Sequence, residues 1–166
     1  MRVLRQNRLK KRMDIAYSPS ATLLLSCQFA DAGAQTIAAR STLRRWVSRA
    51  LEQPAHINLR FVSQHEGRAL NSEYRGKDYA TNVLTFAYPH TRGQPLQADI
   101  ILCTAVVRAE AKAQRKTVRD HLAHLVIHGV LHAQGYDHEN DRDAQRMEAR
   151  EVELLASLRI RNPYAV

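Results

Sequence analysis

The chain has 166 residues and a mass of 18.9 kDa, a length that suits one domain over residues 1–166 with a core of its own. Hydrophobic residues make up 45 % and charged residues 25 %, as in an ordinary soluble globular protein. No apolar run approaches the roughly 20 residues of a membrane span, so a membrane partner is not expected.

The net charge of +9 lies wholly in the first half: residues 1–77 carry 14 Lys/Arg against 5 Asp/Glu, and residues 78–166 carry 11 of each. A field of that sign attracts polyanions through phosphate contacts and counterion release, which predicts a nucleic-acid partner. The plainer reading is solubility or coding bias, since 20 of the 25 basic residues are arginine.

In chain order, Met1–Met13 holds six basic residues and reads as a flexible basic arm. The run Ala21–Cys27 is too short and too far in for the core of a signal peptide, and the cytoplasm is the expected compartment. Thr22–Phe29 reads as a buried strand. Ala34–Leu51 reads as one helix, with Ile37, Leu43, Trp46, Val47 and Ala50 on one side. Its other side carries Arg40, Arg44, Arg45 and Arg49, a face that suits solvent as well as RNA. Ile57–Ser63 alternates apolar and polar residues like a half-buried strand.

A helix over 63–73 follows, then the polar loop Arg75–Asp78, a strand Asn82–Tyr88 broken by Pro89, and a strand Ala98–Cys103. Helices over about 104–115, 118–134 and 140–158 close the chain. The last is amphipathic through Met147, Val152, Leu154, Leu155 and Leu158. Strands early and helices late, without regular alternation, predict an α+β fold of about four strands and about five helices. Cys27 and Cys103 have no partner at metal-ligand spacing and read as buried, reduced thiols.

The densest signal is His124-Leu-Val-Ile-His128-Gly-Val-Leu-His132-Ala-Gln-Gly135-Tyr-Asp-His138. Residues four apart share a helix face, so His128 and His132 can chelate one ion together. Gly135 lets the chain leave the helix through a left-handed residue and bring His138 back to the same ion. Three imidazoles with a position left open are what a catalytic zinc needs. Eight histidines in 166 residues give by chance roughly 0.4 pairs at this spacing, and roughly 0.02 once the third is required; a metal is favoured. Along a helix that rises about 1.5 Å per residue, His124 lies too far from His132 to share the ion. It is expected as an outer or core histidine, and His121 as an exposed one. Asp137 suits either of two roles, orienting a ligand imidazole or stabilising the turn.

In metalloproteases with a related histidine pattern, a Glu directly after the first His is the general base. Here that position is Gly129. A glycine moves no proton, and this argues against peptidase chemistry.

With the upstream segment Asn71-Ser-Glu-Tyr74-Arg75-Gly-Lys77-Asp78-Tyr-Ala-Thr81-Asn82-Val83-Leu84-Thr85-Phe86, the pattern closely resembles the YbeY family of bacterial endoribonucleases and rRNA maturation factors. Ala98-Asp99-Ile100, Gly135–His138, Met147-Glu148 and Glu151 follow in family order, and the resemblance runs from about residue 57 to 158. Ala80, Thr85 and Ala98 stand where the family usually has Pro, Ser and Gly.

The resemblance implies a small mixed sheet and one Zn2+ per chain on His128, His132 and His138. It also implies a role in maturing small-subunit ribosomal RNA and in ribosome quality control. Arg60 matches a family arginine associated with catalysis, and a guanidinium can pair two non-bridging oxygens of a phosphodiester transition state. Arg75 and Lys77 are candidates for RNA phosphate contacts or for ion pairs within the loop. The expected activity is thus a zinc-dependent endoribonuclease acting on single-stranded rRNA precursors. Two other readings stand beside it: a non-catalytic ribosome-assembly factor with a fold-stabilising zinc, and a zinc hydrolase of other substrates.

Overall fold

The computed structural model describes residues 22–165; the basic arm expected at Met1–Met13 lies outside the described residues. Four strands form one sheet: β1 (Leu23–Phe29), β2 (Ala55–Val62), β3 (Val83–Ala87) and β4 (Leu96–Cys103). Their order is β1-β2-β4-β3, with β1, β2 and β4 parallel and β3 antiparallel to β4. Among the described residues there are five α-helices: α1 (Arg40–Ala50), α2 (Gln64–Arg75), α3 (Thr104–Ala113), α4 (Val118–Ala133) and α5 (Asp141–Ser157). This is the α+β class expected, with the mixed sheet that the resemblance implied. Among the described residues no helix is long and apolar enough to cross a membrane.

The two faces of the sheet are covered unequally. Leu59, Ile100 and their neighbours belong to the main core with Trp46, Leu122, Ile127 and Leu155. Val62, Leu84, Ile101 and Cys103 form a smaller cluster on the opposite face, beneath Leu70 of α2. Strand side chains alternate between faces, so the register Leu59↔Ile100 and Arg60↔Ile101 assigns Arg60 to the α2 face. α4 packs against β3, β4, α1, α3 and α5. A helix enclosed on so many sides is apolar nearly all round, and only polar residues with a purpose interrupt it.

The start and stop signals act as their chemistry demands. Ser63 caps α2, its hydroxyl accepting a hydrogen bond from the Glu66 amide at 3.2 Å. Thr117 caps α4 through the Asp120 amide and Asn140 caps α5 through the Asp143 amide. Gly76 closes α2 at φ 66° and Gly135 follows α4 at φ 95°, conformations open to glycine.

One expected helix is two pieces. Ala32–Thr36 is a 3-10 turn capped by Asp31, and α1 begins only after Ala39, which is extended at ψ 157°. The Thr36 hydroxyl bonds the Gly33 carbonyl, favouring the tight turn over propagation of the α-helix. The arginine face is also partly committed. Arg40 donates to the Cys27 carbonyl at 2.9 Å and Arg44 to the Leu23 carbonyl at 3.1 Å, so two guanidiniums blunt the free edge of β1. Cys27 and Cys103 are free and buried.

Candidate metal centre

His128 and His132 sit one turn apart on α4, with ring centroids 4.5 Å from each other. After Gly135 the chain folds back, held by the Tyr136 amide on the Leu131 carbonyl at 3.1 Å. The His138 ring then stands 4.9 Å from that of His132 and 5.8 Å from that of His128. A ligating atom from each of the three lies within 4.8 Å of the others, close enough to hold one cation. Asp137 takes the turn role: its Oδ1 accepts from the His138 amide at 2.7 Å.

The donor set suits a divalent transition ion. The Glu151 carboxylate is fully buried and receives His128 Nδ1 at 2.5 Å and His124 Nε2 at 2.8 Å. Burial alone would raise its pKa, but the hydrogen bonds from His124 and His128 outweigh it and hold the group at about 2. An ionised Glu151 requires a proton on His128 Nδ1, and this leaves the Nε2 lone pair for a metal. His132 makes its own hydrogen bond to the Tyr136 backbone, while burial and the neighbouring His128 and His138 keep its pKa below the usual range. Neutral imidazole is the form that ligates.

The histidines open on a cleft of about 460 Å³ whose other walls are Arg75, Thr81, Asn82, Val83, Thr85, Ala87, Asp137 and Glu139. One wall is therefore β3, an edge strand paired only with β4. Of the two candidate RNA contacts, Arg75 lines this cleft. Lys77 is exposed on the loop beyond it. Asp78 is held in a two-pronged pair by Arg68, at 2.7 and 2.8 Å. Thr85, one of the family departures, lines the cleft directly.

Arg60 is not brought to the histidines. It lies on the opposite face of the sheet, donating to Glu66 at 2.9 and 2.7 Å and to Gln28 at 2.9 Å. Its guanidinium ties α2 to β1 and β2.

His121, expected at the surface, is buried at 4 % exposure and contacts Glu110 Oε2 at 2.7 Å. α3 covers it, which a single-helix view could not reveal. Glu110 also receives the Asn82 amide at 3.1 Å, bracing the start of β3. Sequence reasoning gave Glu151 no role, although a signal existed. Met147, Glu151 and Leu155 follow at four-residue intervals on one buried stripe of α5, and a charge in such a stripe needs a buried partner.

Gly129 faces the sheet. A Cβ there would lie 2.8 Å from Ile100 Cγ2 and 3.2 Å from Thr85 Oγ1, so the position that bears a general base in proteases is here pressed against β3 and β4.

The sequence profile of the family described as Endoribonuclease YbeY matches residues 28–159. The chain belongs to the YbeY family. It is 59 % identical over 143 residues to the Endoribonuclease YbeY of Janthinobacterium sp. (strain Marseille), covering 86 % of this chain and 94 % of that one. The Endoribonuclease YbeY of Herminiimonas arsenicoxydans is 58 % identical over 148 residues, with 86 % and 95 % covered. A Thermotoga maritima protein known from its solution structure superposes with a TM-score of 0.52 at 26 % identity, over 82 % of this chain and 92 % of the other. The mixed sheet and the histidine helix are thus described here in a YbeY chain.

Proposed function

We propose that this YbeY chain is a zinc-dependent endoribonuclease that acts in the cytoplasm, as one domain, on single-stranded segments of precursor ribosomal RNA. Its place in this reading is the maturation and quality control of the small ribosomal subunit. The observation that carries the reading is the convergence of three imidazoles on an open cleft whose wall presents an arginine.

His128, His132 and His138 would hold a divalent ion, which would supply Lewis acidity toward a phosphoryl oxygen. The chain's own groups do the rest. Arg75 pairs with non-bridging phosphate oxygens as they gather charge. The cleft wall also presents two carboxylates, Asp137, whose Oδ1 accepts from the His138 amide, and Glu139. Gly129 leaves no side chain to serve a peptidase. Arg60, across the sheet, acts on the scaffold rather than on the reacting phosphate.

The deciding experiment measures metal by elemental analysis alongside cleavage of a single-stranded ribosomal RNA fragment. One zinc per chain is expected, with cleavage lost on chelation and restored by zinc. Cleavage that persists in metal-free protein sinks the reading, and bound zinc without cleavage replaces it with an assembly factor.

The preference for unpaired RNA has support across β3 from the cleft. Tyr74 is 59 % exposed, next to Arg75 in sequence, and its ring meets Phe86 with centroids 4.9 Å apart. Phe86 packs with the cluster on the α2 face, so the Tyr74 ring lies on the other face of β3 from the cleft that Thr85 and Arg75 line. A fixed, exposed ring one residue from Arg75 is a surface on which a base stacks. Tyr74→Ala is expected to weaken single-strand binding by roughly 1–3 kcal/mol and to leave duplex binding unchanged, as read by fluorescence anisotropy on the two substrates.

A further inference from the structure

The tail that follows α5 returns to the buried side of the histidine helix. Lys116 Nζ donates to the Pro163 carbonyl at 2.7 Å, and the Tyr164 amide donates to Asn162 Oδ1 at 2.9 Å. These bonds set the Tyr164 ring edge-on to His124, with centroids 5.5 Å apart. The Tyr164 hydroxyl donates to Glu151 Oε2, the oxygen that also receives His124 Nε2; the other oxygen, Oε1, receives His128 Nδ1. Glu151 thus has three donors from two segments, α4 and the tail, and its side chain is closed to solvent. Rotating the carboxylate about its axis breaks at least one of these bonds.

We infer that Tyr164 and His124 are positioning residues for the metal centre: by clamping one oxygen of Glu151 they aim its other oxygen at His128 and so fix that ligand's ring. The inference rests on the zinc reading above. Its reason is geometric. A ligating histidine is oriented by the acceptor of its second N–H, and that acceptor orients nothing unless it is held itself. Glu151 is held on the far side by the tail, which makes the last turn of the described chain part of the metal site. His124 and Glu151 with His128 also form a second set whose ligating atoms lie within 4.8 Å. A second cation there competes with this assignment, but the three hydrogen bonds already occupy the carboxylate.

The test uses the full chain. Tyr164→Phe keeps the ring on His124 and removes only the O–H. Zinc affinity, read by competition with a chromogenic chelator, should fall roughly tenfold, and by roughly 10- to 100-fold in Glu151→Gln. The visible spectrum of the cobalt-loaded protein should change in both variants, since it reports ligand arrangement. Leu25→Ala, on β1, controls for general loss of stability, and its zinc affinity should stay within twofold of wild type.

Tyr164→Phe with wild-type affinity and an unchanged cobalt spectrum overturns the inference while leaving the zinc reading intact. Two zinc ions per wild-type chain, one lost in His124→Ala, overturn it in favour of a second cation site. A wild type that takes up no zinc overturns the parent reading and this one together.

Discussion

His132→Ala is expected to abolish RNA cleavage in a protein that stays folded. The side chain is one of three convergent imidazoles, and a site left with two ligands no longer holds the ion tightly. Alanine is the best helix former, and His132 is only half-buried, so α4 tolerates the change. The checks are zinc per chain after dialysis, the far-ultraviolet dichroism of the helices, and cleavage of a single-stranded fragment. A folded, zinc-free His132→Ala protein that cleaves at the wild-type rate would exclude the histidine cleft as the active site.

Gly129→Glu is expected to fail as a protease-like gain and to destabilise the fold. By sequence analogy it would restore a general base beside the metal. In the structure the new side chain has no path to the cleft, because its first carbon already meets Ile100 Cγ2 at 2.8 Å and Thr85 Oγ1 at 3.2 Å. Overpacking of a strand methyl costs about 1–3 kcal/mol, and an unpaired carboxylate forced toward the sheet adds several more. For a chain of this size each kcal/mol lowers the melting temperature by about 2–4 °C, so a fall of roughly 10 °C or more should appear in thermal unfolding. A Gly129→Glu protein as stable as wild type would show that α4 sits further from the sheet than described.

The clustering of the three histidines was legible because its grammar is local. His128 and His132 share a face by helix periodicity, and Gly135 turns the chain within three residues, so the site assembles from one short segment. The strands and most helix bounds were legible for a similar reason, since alternation, capping residues and glycine stops act over a few residues. The break between Thr36 and Arg40 escaped because apolar spacing continues across it, while a hydroxyl-to-carbonyl bond decides the local geometry. His121 was misjudged because its cover, Glu110, comes from another helix.

The α+β class, the histidine triad and the absence of a protease base follow from periodicity, spacing and residue chemistry in the sequence by itself, which need no knowledge of distant neighbours; the nuclease family came from the likeness of its motifs to known proteins. Only the tertiary structure decided what surrounds them. It sent Arg60 to the far face of the sheet, because strand alternation acts on a register that pairing alone sets. It gave Gly129 its reason in the contact of α4 with Ile100, and it joined Glu151 and Tyr164 to His128. Those contacts span from 13 to 29 residues of chain, and their partners become neighbours only when helices and sheet close on a shared core.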